Sequence, residues 1–159
     1  MSSSIGSFET NLVERAYLYW ESKAARRIPS RHDLLPEEMT ALLPHVFLID
    51  VEPAPLGFRF RLVGSEIGRW AQREYSGVRI NELEYGPAWR SVFDAYARVV
   101  SSRKAEVARY RAPWVGREFL RYERLIAPLS SDGDRVDMLF GALYPIPSPR
   151  ADAVESGEN

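Results

Sequence analysis

Two histidines, His32 and His45, are the imidazoles this chain offers to chemistry, and no cysteine accompanies them. Without a thiol there is no disulfide, no thiolate metal site, no iron–sulfur cluster and no cysteine nucleophile. Neither histidine has the other at metal-ligand spacing. A serine nucleophile needs a histidine held beside it, and neither imidazole lies in such a motif. His45 falls between Pro44 and an apolar run, a position that suits a structural turn, and His32 lies in a polar stretch and reads as exposed. The segment Gly64-Ser65-Glu66-Ile67-Gly68 lacks the spacing and the following lysine of a phosphate-cradling loop. Glu66, Asp94 and Glu123 are the acids that a cone-shaped, isomerase-like cavity would have to gather. Catalysis is the weakest reading.

Arginine dominates the basic residues, Lys23 and Lys104 being the only lysines. Arg59 with Arg61, and Arg109 with Arg111, would each place two guanidinium groups on one strand face. They are interleaved with acids, however, and the formal net charge is -1. That balance gives no general attraction to nucleic acid or to an anionic membrane surface. No nucleic-acid partner is expected.

The aromatic residues are the remaining candidates. Trp70, Tyr75, Trp89, Phe93 and Tyr122 read either as plain core or as the wall of a small-molecule pocket, which is mostly apolar with a few placed polar groups.

The elements that must position them can be read from periodicity. Leu12, Val13, Ala16, Tyr17, Trp20 and Ala24 predict an amphipathic helix from Glu9 to Arg27, stopped by Pro29. Leu35-Pro36 opens a short helix that Pro44 closes. Val46 to Val51 is apolar throughout, as in a strand covered on both faces. Phe58, Phe60 and Leu62 alternate with Arg59, Arg61 and Val63, which predicts a second strand with one face much more buried. Short helical fragments follow, broken at Gly68 and Gly77, and a long helix runs from Pro87 to Ser101-Ser102 with Trp89, Val92, Phe93, Tyr96, Val99 and Val100 on one stripe. Three strands complete the pattern: Glu106–Trp114, Glu118–Leu129 and Asp134–Tyr144, the last two joined at the Asp132-Gly133 turn signal. The first and last strands are apolar on both faces, so they belong side by side in the middle of one sheet. The long helix then covers one face and the N-terminal helix the other.

Trp20, Arg26-Arg27-Ile28-Pro29-Ser30-Arg31, Leu35-Pro36, Leu42-Leu43-Pro44, Phe60-Arg61-Leu62-Val63-Gly64-Ser65-Glu66-Ile67, Ser76-Gly77-Val78-Arg79-Ile80-Asn81-Glu82-Leu83 and Ile126-Ala127-Pro128-Leu129 form a joint pattern. With them the chain resembles short proteobacterial proteins of the PAS domain family over about residues 15–146. The resemblance implies an α+β PAS fold: a five-stranded antiparallel sheet in the order 2-1-5-4-3, with a long helix on one face and an N-terminal amphipathic helix. It also implies a sensory or regulatory module that binds a small molecule or a signalling protein and acts in trans, since no output domain follows. A ligand-free interaction adaptor is the alternative. The adduct-forming cysteine of flavin-binding photoreceptor branches is missing, and no histidine lies on or near the long helix where haem-binding branches have theirs. Neither haem nor flavin is expected.

The expected unit is a single domain over residues 9–146, with residues 1–8 and 150–159 as disordered tails. The first residues do not read as a signal peptide, and no window approaches the roughly 18 apolar residues of a membrane span. A cytoplasmic location without membrane association is expected. A homodimer through the N-terminal helix is a possible assembly.

Overall fold

The computed structural model describes residues 5–80, 87–114, 116–117 and 119–147. Helix α1 (Asn11–Lys23) leads into three short 3-10 turns at Arg31–Asp33, Pro36–Glu38 and Leu43–His45. Strands β1 (Val46–Glu52) and β2 (Gly57–Val63) follow, then helices α2 (Ser65–Ala71) and α3 (Pro87–Ser102). Strands β3 (Glu106–Arg111), β4 (Arg121–Leu129) and β5 (Met138–Pro145) close the fold. All pair antiparallel in the order β2-β1-β5-β4-β3, as expected.

β1 and β5 can hold the middle because both of their faces are apolar. Phe47, Ile49, Leu139 and Leu143 enter an inner core under α3, with Val92, Tyr96 and Val99. Val46, Leu48, Phe140 and Ala142 enter an outer core under α1, with Val13, Ala16, Tyr17 and Trp20. Leu34, Met39 and Leu42 from the short turns extend that outer cover. The N-terminal helix therefore lies on the sheet of its own chain. Ile5 and Phe8 continue the same cover, Phe8 packing on Tyr17 at 5.8 Å. The rest of both expected tails falls outside the described residues.

Two glycines let backbone and ring approach where no side chain fits. A Cβ on Gly141 would overlap the ring of Phe47, its partner across β1 and β5. A Cβ on Gly64 would strike the Pro44 carbonyl, beside the 2.8 Å bond from Gly64 N–H to Val46 O.

Several boundaries differ from the sequence reading, each for a local reason. α1 starts at Asn11 because Thr10 caps it, its hydroxyl accepting from Val13 N–H at 3.2 Å. A register shift between β1 and β2 pairs Leu48 with Leu62 and Ile49 with Phe60, leaving Arg61 as the extra residue. Phe58 and Phe60 thus face the inner core, whereas Leu62 turns to the other side and is 41% exposed. It does not share their buried face. Gly68 does not break α2, which runs on to a left-handed Gln72. β3 ends at Arg111 because Pro113 has no N–H for the ladder and the chain turns Trp114 inward. β5 begins only at Met138, since the Asp132 carboxylate takes the N–H groups of Asp134 and Arg135 at 2.9 Å. Those bonds hold Asp132 at a pKa of about 2 and make a wide loop in place of a tight hairpin.

β4 faces both ways. Tyr122 and Ile126 belong to the inner core, and Leu125, Ala127 and Leu129 to the outer one. Glu123 is on the outer side with no exposed surface. Its carboxylate accepts from Glu9 N–H and Thr10 N–H at 2.8 Å, Thr10 Oγ1 at 2.7 Å and Arg109 Nη2 at 2.9 Å. Here an acid of the sheet completes the N-terminal cap of α1, where free N–H groups and the helix dipole favour negative charge.

At the other end, Trp20 Nε1–H donates to Pro128 O at 3.0 Å. Trp20→Ala is expected to cost about 3–5 kcal/mol in denaturant unfolding. Leu18→Ala, on the exposed side of α1, should stay within about 0.5 kcal/mol. Glu123→Gln should cost about 3–5 kcal/mol, because the Arg109 and N–H donors lose their charged acceptor. Hydrogen exchange should then accelerate first in α1. Unchanged protection there would show that the carboxylate does not hold the helix.

Candidate functional site

The inner core is not completely filled. Between the sheet and α3 lies a cavity of about 40 Å³, lined by Phe47, Phe60, Val63, Tyr75, Trp89, Val92, Tyr96, Pro113, Trp114, Tyr122, Arg124 and Leu143. Its walls are almost entirely aromatic and aliphatic. Strands β1, β2, β4 and β5, helix α3 and the loops after α2 and β3 build it. β1 and β2 supply Phe47 and Phe60, and the loop after α2 is laced to β2 by Phe60 N–H to Val78 O (2.9 Å) and Gly77 N–H to Phe60 O (2.7 Å). That lacing sets Tyr75 against Phe60 at 5.5 Å and against Trp89 of α3 at 5.7 Å. On the far side Trp114 stacks on Tyr122 at 6.1 Å. The loop carrying Trp114 is tied to α2 through Arg117 Nε, which donates to Trp70 O at 3.2 Å.

Of the five aromatic candidates, Tyr75, Trp89 and Tyr122 meet around this cavity, and Trp70 and Phe93 are not among its lining residues. Phe93 stands edge-on to Phe58 at 5.1 Å. Trp70 stacks on His45 at 5.5 Å, with Tyr144 edge-on to both. His45 thus has a packing role at the head of β1, and His32 is exposed.

The cavity also holds a residue that the sequence reading passed over. Arg124 is 4% exposed, and its guanidinium lies 4.2 Å from the ring centre of Tyr110 and 5.4 Å from that of Tyr96. Its Nε has no hydrogen-bond partner, and among the described residues no carboxylate forms an ion pair with it. Cation–π contacts contribute about 0.5–2 kcal/mol each. Removing an ion from water costs several kcal/mol, so the rings offset only part of the penalty. Burial pushes the Tyr122 and Tyr96 phenols up, with the nearby Arg124 charge pulling both back down. Strand order held the signal: β4 is not an edge strand, so its charged residues cannot all reach water.

The three candidate acids stay apart. Glu66 pairs with Arg69 on the surface of α2, Asp94 with Arg90 at 3.4 Å on α3, and Glu123 caps α1 on the opposite face of the sheet. Three of the four arginines of the strand faces are likewise engaged: Arg59 with Glu52, Arg61 with Asp50, Arg109 with Glu123 and Glu9. Among the described residues no group of His, Asp and Glu could hold a metal ion, and no helix is long and apolar enough to cross a membrane.

The model of the PAS domain family matches residues 9–144. The chain belongs to the PAS domain family. Solved structures agree on the fold. The PAS domain of BvgS from Bordetella pertussis superposes with a TM-score of 0.56 at 14% identity, covering 77% of this chain and 93% of that one. A light-oxygen-voltage domain studied with a flavin analogue gives a TM-score of 0.51 at 12% identity, covering 77% and 91%. No curated protein matches the chain. PAS domains typically serve as sensory modules in signalling and are generally not catalytic.

One titration is tied to this region. Burial holds the His45 pKa below its ordinary 6.5, although the Glu66 carboxylate pulls the other way. A histidine whose folded pKa is depressed contributes stability above the unfolded pKa, and that stability is lost as pH falls through the folded one. The melting temperature should therefore drop as pH falls from about 7.5 to about 5.5, and His45→Phe should flatten that part of the profile. Identical slopes in both proteins would rule out this role for His45.

Proposed function

We propose that this PAS domain is a sensory module that takes a small molecule into the inner cavity and passes the result to a signalling protein in trans. The observation that supports the reading is the cavity itself: an aromatic chamber assembled from strands, a helix and two loops, with one buried charge in its wall. A fold seeking only stability would fill such a space, since each void of this kind forfeits packing energy. In this reading the protein is not an enzyme, works in the cytoplasm and binds neither nucleic acid nor membrane. Its ligand is small. A chamber of about 40 Å³ holds a few water-sized groups. Haem- and flavin-sized ligands occupy pockets of about 300–1,000 Å³.

The same small volume favours a second reading, a ligand-free adaptor that works through its surface. Leu18 on α1 and Leu62 on β2 are the exposed apolar side chains such a contact, or a homodimer, would use.

Native mass spectrometry of the freshly purified chain separates the two. The sensory reading expects a small added mass that is released on denaturation and is missing from Val92→Phe, which fills the cavity. A bare mass, together with no gain in melting temperature from any compound in a metabolite screen, would leave the adaptor reading.

A further inference from the structure

We propose that Arg124 makes the inner cavity a site for a small carboxylate anion. The inference rests on the reading of that cavity as a ligand site and names the chemistry of what enters. Arginine stays protonated at any physiological pH, so Arg124 cannot escape its burial by losing charge. Most other buried or half-buried arginines in the described structure are matched to an acid: Arg109 to Glu123, Arg79 to Glu52. Arg124 is more deeply buried than either, and its neighbours are the ring faces of Tyr110 and Tyr96 and the Tyr122 hydroxyl, none of which is a carboxylate. A cation above an aromatic face is stabilised without being neutralised. The remaining charge, the Nε–H without an acceptor and the adjacent cavity form one feature with a missing negative group.

The shape of that group follows from the donor. A guanidinium presents parallel N–H groups in a planar fork, and a carboxylate accepts from two of them at once. The slot between the stacked rings of Trp114 and Tyr122 and the aromatic wall of Tyr75 and Trp89 suits a flat anion with a short apolar tail. The volume limits it to a few non-hydrogen atoms. Water is the competing occupant, since it also satisfies an N–H donor.

Sodium formate, acetate and propionate should be titrated against the full-length protein at constant ionic strength, with acetamide as the neutral isostere of acetate. Trp89 and Trp114 in the cavity wall provide a fluorescence readout, and melting temperature a second one. The expected result is a saturable response and a higher melting temperature with at least one carboxylate, and none with acetamide. Arg90→Met, on the exposed side of α3, should leave the response unchanged. Arg124→Met should weaken binding by about tenfold or more, the loss of a charge-assisted pair. If that variant does not fold, Arg124→Lys carries the test, because it keeps the charge, loses the fork and should bind acetate more weakly than wild type.

An equal response to acetamide, an unaltered response in a folded Arg124→Met, or no saturable response to any of the three carboxylates overturns the anion. A neutral molecule found by native mass spectrometry and retained by Arg124→Met does so too, while leaving the sensory reading standing. A bare protein that no carboxylate and no screened compound stabilises removes both.

Discussion

Glu123 lies near the start of β4 on the sheet's outer face with no exposed surface, and the arrangement of the molecule turns on what its carboxylate holds. Two N–H groups and the hydroxyl at the start of α1 converge on it, and Arg109 closes the ring from β3. A carboxylate so deep is tolerable only because each oxygen has donors, one of them charged. In return it sets where α1 begins and fixes the helix over β4 and β5. Without that helix Val46, Leu48, Phe140 and Ala142 would form an apolar patch open to water. The Trp20 bond to Pro128 O secures the opposite end, so the helix is located at two points along β4.

The two cores follow from the same constraint. A central pair of strands with apolar residues on successive positions has no face to give to solvent, and each side demands its own cover. The outer cover is one helix and a set of short turns. The inner cover is more varied, with α3, the loop after α2 and the turn after β3 arriving from different parts of the chain. Bulky rings from independent segments do not pack to full density as readily as one helix does, and the cavity lies where those rings meet.

What was legible in the sequence was what periodicity and turn chemistry carry. The unbroken apolar runs of β1 and β5 placed those strands in the middle, and the stripe from Trp89 to Val99 marked α3. What escaped was decided by neighbours distant in the chain. Leu62 looked like the partner of Phe58 and Phe60 until a register shift at Arg61, invisible to alternation, turned it away. Gly68 looked like a helix breaker, yet a single glycine inside one short helix costs only about 1 kcal/mol. Glu123 and Arg124 carried no local mark at all. Glu123 was read only as one acid of an isomerase-like cavity and Arg124 was not singled out, and only the position of β4 between β3 and β5 forces one into each core. Trp70 illustrates the reverse case: a large ring in the irregular middle of the chain that stacks on His45, away from the cavity wall.

That last pair of neighbours has a mechanical meaning. Arg124 borders the cavity and Glu123 grips the start of α1, yet a single peptide unit joins them. That unit is rigid and nearly planar, so a displacement of this part of β4 carries both side chains with it. A displacement there would reach the guanidinium beside Tyr96 on one face and the carboxylate bonded to Thr10 on the other. β4 thus borders the chamber on one side and the helix on the other, with one polar arm on each.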